Sequence, residues 1–171
     1  MALVFQYGSN MSNERLNDAC RLAGDAKDIG LVRTRDRFEI TFDVWSKTND
    51  CAASNILECS GCHIWGVLYE VPDHLIDRAT SGDRKSFDAI EGKKYRRRQI
   101  AVVWPDGTPV PDHVVTYTVR EPVAGLRTSL TYVSYILRGL REHNASSDYV
   151  AYVKNRIIAN NPDLATAIEA F

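Results

Sequence analysis

The chain has 171 residues, of which 21 are Lys or Arg and 22 are Asp or Glu, giving a formal net charge of -1 at pH 7. This balance argues against a dedicated nucleic-acid binder, which normally carries a marked excess of positive charge. The sequence contains no apolar run long enough to cross a bilayer and no leader-like N-terminus, so we expect a cytoplasmic protein without membrane partners. The length predicts a single domain over residues 1–171.

The N-terminal segment is the most informative part of the sequence. Residues 3–5 (Leu-Val-Phe) indicate a buried strand, and residues 8–10 (Gly-Ser-Asn) stop it with turn-forming residues. Residues 12–23 space their apolar side chains as a helix does. At a strand-to-helix junction, backbone N–H groups lack partners and point toward a bound anion or a developing oxyanion. The alternative is a plain turn.

Hydrophobic periodicity separates strands from helices in the rest of the chain. Residues 46–55 are small and polar and are predicted to form a loop. Strands are predicted at residues 29–32, 38–42, 63–71, 96–104 and 114–119, and helices at residues 74–79, 85–90, 128–140 and 149–158. Because the strands cluster centrally and helices interrupt and follow them, we expect an α+β fold with a mixed, mostly antiparallel sheet closed into a small barrel.

Four cysteines, Cys20, Cys51, Cys59 and Cys62, permit two interpretations. Cys59 and Cys62 form a Cys-x-x-Cys pair followed by His63, and this cluster offers soft metal ligands. Structural zinc sites normally combine two such pairs, however, and the sequence has one. We therefore expect no metal, and reduced thiols with Cys59 and Cys62 at a turn between strands.

A second informative segment, residues 86–92 (Ser-Phe-Asp-Ala-Ile-Glu-Gly), places two carboxylates on one face of a short helix. Asp88 and Glu91 are three residues apart, and Gly92 is predicted to end the helix. A glutamate in the last turn is unfavourable for the helix dipole, so Glu91 needs another reason to be there. It is either a functional carboxylate or a solvated surface acid.

These segments occur in a characteristic order. Residues 7–10 (Tyr-Gly-Ser-Asn) follow the first strand, residues 52–56 precede a central strand at residues 65–70, and residues 87–92 and 95–97 come later. This order and spacing resemble the gamma-glutamylcyclotransferase family over roughly residues 3–120, and more loosely beyond. The fold that the resemblance implies is a small mixed, mostly antiparallel β-barrel with flanking helices, in agreement with the α+β prediction.

The resemblance implies a cyclisation, in which the α-amino group of a γ-glutamyl compound attacks its own γ-carbonyl and releases an amine and 5-oxoproline. Because the nucleophile belongs to the substrate, the reaction requires no cofactor, only positioning and proton transfer. Glu91 matches the catalytic glutamate of the family. Gly8, Ser9 and Asn10 match its substrate-holding loop and would bind either the glutamyl carboxylate or the tetrahedral oxyanion. Tyr7 would pack beneath this loop or hydrogen-bond into the pocket.

The remaining pocket residues and the substrate stay open at this stage. Tyr95 and Tyr117 are pocket residues by position, although Tyr95 fits the barrel core equally well. Asn10 favours γ-glutamyl amino acids, because relatives that act on glutathione or γ-glutamyl-ε-lysine tend to carry a Leu or Thr variant of the loop. The alternative to an enzyme is a non-catalytic module that uses the same barrel to bind a small ligand or a protein. The sequence predicts no oligomeric state.

The basic run from Lys93 to Arg98 also permits two interpretations. It could form a nucleic-acid patch, but alternate residues of a strand face opposite sides, so the run is not one continuous stripe. We expect a solvated edge or a gate that attracts anionic substrates, and no nucleic-acid partner. Trp45, Trp65 and Trp104 lie on predicted strands and are expected in the core or barrel.

Overall fold

A computed structural model describes residues 1–79, 82, 85–111 and 113–171. Its strands are β1 (Ala2–Gln6), β2 (Lys27–Thr34), β3 (Phe38–Ser46), β4 (Cys51–Glu58), β5 (Trp65–Val71), β6 (Tyr95–Ile100), β7 (Val102–Val103) and β8 (Val114–Val119). Its α-helices are α1 (Asn13–Leu16), α2 (Phe87–Glu91), α3 (Leu130–Glu142), α4 (Ser147–Asn160) and α5 (Ala165–Glu169). Short 3₁₀ turns occupy Ser9–Met11, Asp73–Leu75 and Pro162–Leu164.

Six strands form one curled sheet in the order β6-β8-β1-β5-β2-β7, and β3 pairs with β4 as a separate ribbon. The pairing of β1 with β8 is parallel, whereas the other strand pairs of the described residues are antiparallel. β1 therefore lies between β5 and β8 near the middle of the sheet, and the loop that follows it emerges from the centre of the fold. The mostly antiparallel α+β prediction is confirmed.

The β3–β4 ribbon is attached to the sheet by a buried asparagine. The Asn55 side-chain oxygen accepts a hydrogen bond of 3.0 Å from the Val119 backbone at the end of β8. The Asn55 amide also donates to the Asp43 carboxylate at 3.2 Å, and Asp43 lies on β3. Asn55 is fully buried, so these bonds replace the water that its amide would otherwise need. One side chain thus ties both strands of the ribbon to the main sheet.

Helices α3 and α4 cover the sheet with their apolar stripes. Ser129 and Ser146 cap them by accepting hydrogen bonds from the backbone amides three residues on. The buried side chains of these helices belong to one hydrophobic cluster with β1, β5 and α2, and a second cluster surrounds Phe5 and Phe38. None of the helices in the described residues is long and apolar enough to span a membrane.

Helix α3 also packs tightly against the loop that follows β1. A methyl group added at Gly139 would lie 2.6 Å from the Met11 Cβ and 2.8 Å from the Met11 carbonyl carbon. The Tyr69 hydroxyl of β5 donates to the Met11 carbonyl at 3.0 Å. The loop is therefore held between α3 and β5, and Gly139 is the residue that allows this approach.

The predicted helix over residues 12–23 is wrong beyond its first turn, since α1 ends at Leu16. Two polar side chains divert the backbone there. Asn17 exchanges two hydrogen bonds of 2.9 Å with the backbone of Ala26, and the Asp18 carboxylate accepts from the Cys20 amide at 2.7 Å. Such side-chain bonds compete with helical ones, so the segment continues as turns.

Three other predicted boundaries need correction. Residues 46–55 are not all loop, because the small residues from Cys51 onward form β4, buried against β3. The predicted strand 96–104 is divided into β6, which pairs with β8, and β7, which pairs with β2. The predicted helix 74–79 reduces to a 3₁₀ turn at Asp73–Leu75, where Pro72 precedes the turn. The helices predicted at 85–90, 128–140 and 149–158 are confirmed as α2, α3 and α4.

Candidate active site

Helix α2 presents Glu91 toward the loop after β1. Ser86 caps the helix by accepting a hydrogen bond of 3.2 Å from the Ala89 amide, and Gly92 ends it. Phe87 is fully buried and stacks on Tyr117 with ring centroids 6.0 Å apart, which fixes the helix against β8. Glu91, one turn further along, is only partly exposed and points into the fold from the last helical position.

A polar chain connects Glu91 to an arginine through Asn10. The Asn10 amide nitrogen donates to the Glu91 carboxylate at 3.0 Å, and the Asn10 amide oxygen accepts from the Arg21 guanidinium at 2.7 Å. Both functions of the amide are therefore used, and its orientation is fixed by its two partners. Asn10 itself is buried. The arrangement aligns a carboxylate, an amide and a guanidinium at the end of β1.

Burial raises the pKa of Glu91 from its ordinary value of 4.5 to about 7. The opposing influences are smaller: the positive charges of Arg21 and Arg15 and the hydrogen bonds from Asn10 and Gln6 favour the ionised form. A carboxyl group with a pKa near 7 can accept and release a proton at neutral pH. This is the property that general acid–base catalysis requires.

The loop approaches β4 closely at Gly8. A Cβ at this position would overlap the Ser54 hydroxyl oxygen, so the approach excludes any side chain. The Ser54 hydroxyl lies 2.9 Å from the Tyr132 hydroxyl, which also accepts from the Ser54 backbone at 3.0 Å. Ser9 hydrogen-bonds to the same tyrosine. β4 and α3 thus hold the loop from both sides.

Three further tyrosine hydroxyls donate hydrogen bonds around the site. Tyr7 donates to the Tyr117 carbonyl at 2.6 Å, Tyr95 to the Ser54 carbonyl at 2.8 Å, and Tyr117 to the Asp88 carboxylate at 2.7 Å. Burial raises the pKa of each of these phenols, so they remain protonated donors at neutral pH. These hydrogen bonds hold the side chains around Glu91 in place. Because the phenols stay protonated, they do not accept protons in place of Glu91.

Two adjoining spaces meet at Glu91. The inner cavity is narrow and is enclosed by Gln6, Tyr7, Gly8, Ser54 and Tyr117. The outer cleft has a volume of about 290 Å³, and its walls include Arg15, Arg21, Trp45, Lys93 and Lys94. Both spaces are lined by Ser9, Asn10, Glu91, Tyr95 and Tyr132. A ligand that spans the two would pass the carboxyl group of Glu91.

The structure brings together all seven residues that the sequence indicated, namely Tyr7, Gly8, Ser9, Asn10, Glu91, Tyr95 and Tyr117. Tyr95 lines both spaces and Tyr117 only the inner one. Tyr117 contributes its ring, because its hydroxyl is turned to Asp88. Glu91 is not a solvated surface acid, since it lies in a shared wall of both spaces.

Five residues that the sequence did not indicate also line the site, namely Gln6, Arg15, Arg21, Ser54 and Tyr132. Gln6 adjoins the Tyr-Gly-Ser-Asn segment and could have been included on that ground. The two arginines follow the same segment, but the sequence assigned them to a continuous helix over residues 12–23 and not to the site. Ser54 and Tyr132 carry no local signal, because only the fold places β4 and α3 beside the loop.

Other expectations have mixed outcomes. Trp45 was expected in the core, but it is 39% exposed at the rim of the outer cleft, because its position on β3 faces away from the sheet. In the basic run, Lys93 and Lys94 line the outer cleft, whereas Arg98 forms an ion pair of 2.6 Å with Glu58. The four cysteines are free thiols, and the described residues contain no cluster of metal-ligating side chains.

The curled sheet, the strand-to-loop junction at Gly8 and the partly buried carboxyl group of Glu91 define a small α+β protein with a polar cavity at the end of its central strand. The sequence profile of gamma-glutamyl cyclotransferases of the AIG2-like type matches residues 4–136, and the chain belongs to this family. No curated protein is similar enough in sequence to be matched.

Solved structures share the fold. A gamma-glutamyl cyclotransferase is 20% identical with a TM-score of 0.72, and the match covers 86% of this chain and 83% of that one. An uncharacterised protein from Homo sapiens gives the same identity, TM-score and coverage. YkqA from Bacillus subtilis is 21% identical with a TM-score of 0.73, covering 93% of this chain and 55% of that one. At these sequence identities, the similarity to the solved structures shows a shared fold alone.

Proposed function

We propose that this protein is a cyclotransferase that converts a γ-glutamyl amine or γ-glutamyl amino acid to 5-oxoproline and the free amine. The observation that carries the proposal is the carboxyl group of Glu91, which has a pKa of about 7 and lies between two spaces beside the loop. Family membership supports a cyclotransferase-type reaction, and the site contains a group suited to its proton transfers.

The glutamyl group occupies the inner cavity in this proposal, and the departing amine extends into the outer cleft. Ionised Glu91 takes a proton from the substrate α-ammonium, and the freed nitrogen attacks the γ-carbonyl carbon. The tetrahedral intermediate collapses as the bond to the departing nitrogen breaks, and Glu91 returns its proton to that nitrogen. The second proton of the attacking nitrogen leaves to solvent. No protein nucleophile takes part.

Positioning supplies the rest of the rate increase. The amide groups of the loop and the side chain of Ser9 stabilise the negative charge of the glutamyl carboxylate or of the tetrahedral oxygen. Tyr7, Tyr95 and Tyr117 confine the glutamyl chain in a folded conformation, which brings the amine near the carbonyl carbon. Because these tyrosines use their hydroxyls on the protein, they act as walls.

The experiment is to measure 5-oxoproline formed from γ-glutamyl-alanine, glutathione, γ-glutamyl-ε-lysine and γ-glutamyl-ethylamide. Glu91→Gln preserves the shape of the side chain and removes its proton transfer, so turnover should fall by about a hundredfold or more. Glu169→Gln is the matched control, because Glu169 is exposed on α5 and should leave turnover unchanged. Full activity of Glu91→Gln would contradict the role assigned to Glu91. No product from any substrate with wild-type protein would contradict the cyclotransferase proposal and favour a non-catalytic binding module.

A further inference from the structure

The outer cleft concentrates positive charge in a protein whose overall formal charge is -1. Among the described residues, its lining contains one carboxylate, Glu91, and five cationic side chains, namely Arg15, Arg21, Lys47, Lys93 and Lys94. The inner cavity, within the same described part of the chain, is lined by no cationic side chain. Of these two spaces, only the outer cleft is lined by cationic side chains of the described residues.

Arg15 is held rigidly at the wall of this cleft. Its guanidinium donates to the Asn49 side chain at 2.8 Å and lies 4.1 Å above the centre of the Tyr135 ring. Its Nε is buried and has no hydrogen-bond partner among the described residues. Arg15 thus holds a fixed orientation at the wall of the cleft.

Arg21 lies close enough to Arg15 for the two charges to repel. Burial lowers the pKa of Arg21, and the Arg15 charge lowers it further. Neither arginine forms a salt bridge with a carboxylate in the part of the chain that the structure describes. Two half-buried guanidinium groups without an anionic partner gain most from binding an anion between them.

We propose that Arg15 and Arg21 form an anion subsite that binds the acidic leaving group of the substrate. The inference rests on the proposed function, because it assigns the inner cavity to the glutamyl group and the outer cleft to the departing amine. The preferred substrates then release an amine that carries carboxylates, and one with a second carboxylate, such as γ-glutamyl-glutamate, binds better than one with a neutral amine. Arg15 and Arg21 are specificity-determining residues in this proposal.

Arg15 is the better residue to change, because Arg21 also orients Asn10 through the 2.7 Å hydrogen bond. Arg138 offers a matched control: its guanidinium lies 5.8 Å from the same Tyr135 ring, but it is exposed and pairs with Glu14 at 3.4 Å. Arg138→Met removes one positive charge near Tyr135 without altering the cleft. Arg15→Met removes the subsite, and Arg15→Lys keeps its charge without the planar fork.

Binding is measured by calorimetry in the Glu91→Gln background, where substrate survives the measurement. The probes are γ-glutamyl-glutamate, γ-glutamyl-alanine and γ-glutamyl-ethylamide, which carry two, one and no leaving-group carboxylates. We expect Arg15→Met to weaken the binding of γ-glutamyl-glutamate about tenfold or more and that of γ-glutamyl-ethylamide less than about threefold. Arg15→Lys should have an intermediate effect, and Arg138→Met should leave the affinities unchanged. Circular dichroism checks that each variant is folded. If Arg15→Met does not fold, the comparison uses Arg15→Lys instead.

If Arg15→Met weakens the binding of all three probes equally, the inference is overturned, because Arg15 would then bind the glutamyl carboxylate that the probes share. No preference for the acidic probes before Arg15 is changed, or no binding of any probe, would overturn it as well. The proposed function fails separately, if wild-type protein forms no 5-oxoproline from any probe. The ratio of affinities still decides the subsite in that case, since it requires no turnover.

Discussion

The side-chain amide of Asn10 holds the carboxyl group of Glu91 at 3.0 Å, although the two residues are 81 positions apart in the chain. One stands in the loop after the central strand and the other at the end of a five-residue helix. The contact joins the two segments that carry the site, and it connects Glu91 to the Arg21 charge behind Asn10. Burial raises the pKa of Glu91, and this chain of contacts opposes part of that rise.

Stability should depend on pH through Glu91. Its pKa is 4.5 in ordinary surroundings and about 7 in the folded protein, so between these values the unfolded chain binds fewer protons than the folded one. The free energy of unfolding therefore falls as pH rises from about 4.5 to about 7, by about 3 kcal/mol at most, and the cost persists above that range. Glu91→Gln removes this cost.

The measurement is urea unfolding of wild-type and Glu91→Gln protein at about pH 5 and about pH 8. The variant should gain stability relative to wild type between the two conditions. The same difference at both pH values would show that Glu91 has an ordinary pKa in the folded protein. Glu169→Gln should follow the wild type throughout.

Activity should follow the ionisation of the same group. If Glu91 is the proton acceptor, kcat/KM rises through a limb near pH 7, because the carboxylate form increases there. Arg21→Met removes a positive charge that favours the carboxylate, so the limb should move to higher pH. A limb that stays near the ordinary glutamate pKa in both proteins would exclude Glu91 as the titrating group.

Asn10→Ala should reduce activity without unfolding the protein. The substitution removes the hydrogen bond that favours the ionised Glu91 and leaves the Arg21 guanidinium without its acceptor. We expect kcat/KM at neutral pH to fall about tenfold or more and the acidic limb to move to higher pH. Asn13→Ala, on the exposed side of α1, is the control. A lower rate with an unmoved pH profile would limit Asn10 to a structural role.

The packing of Gly8 against Ser54 predicts non-additive stability. Gly8→Ala places a methyl group on the Ser54 hydroxyl, which should cost about 1–3 kcal/mol. Ser54→Ala removes that oxygen, and the loss of its hydrogen bond with Tyr132 should lower the free energy of unfolding by about 1 kcal/mol. The double variant should be more stable than the sum of the single effects predicts. Strict additivity in denaturant unfolding would show that the loop relaxes away from β4.

The parts of the site that the sequence predicted are those with local signals. Residues 7–10 break an apolar strand, and residues 86–92 carry a capping serine, a terminal glycine and an unfavourably placed glutamate. Each signal lies within a few residues, so it can be recognised without the fold. Their encounter across the structure was inferred from a family resemblance, because neither segment contains information about the other.

The parts that were missed depend on contacts between distant residues. Arg21 reaches the cleft where Asn17 and Asp18 redirect the backbone after one helical turn, against the apolar periodicity of residues 12–23. The small residues of β4 have weak strand propensity, and their pairing with β3 decides the outcome. Tyr132 lies on a helix whose apolar stripe predicts only burial.

Helix α3 affects the site through the close approach of Gly139 to Met11. No gap separates the helix from the loop, so a single methyl group on the helix must displace one of them. The displaced loop would carry Asn10 with it, and the proton affinity of a carboxyl group on α2 would change. A position that touches neither cavity would thus influence the pKa of Glu91.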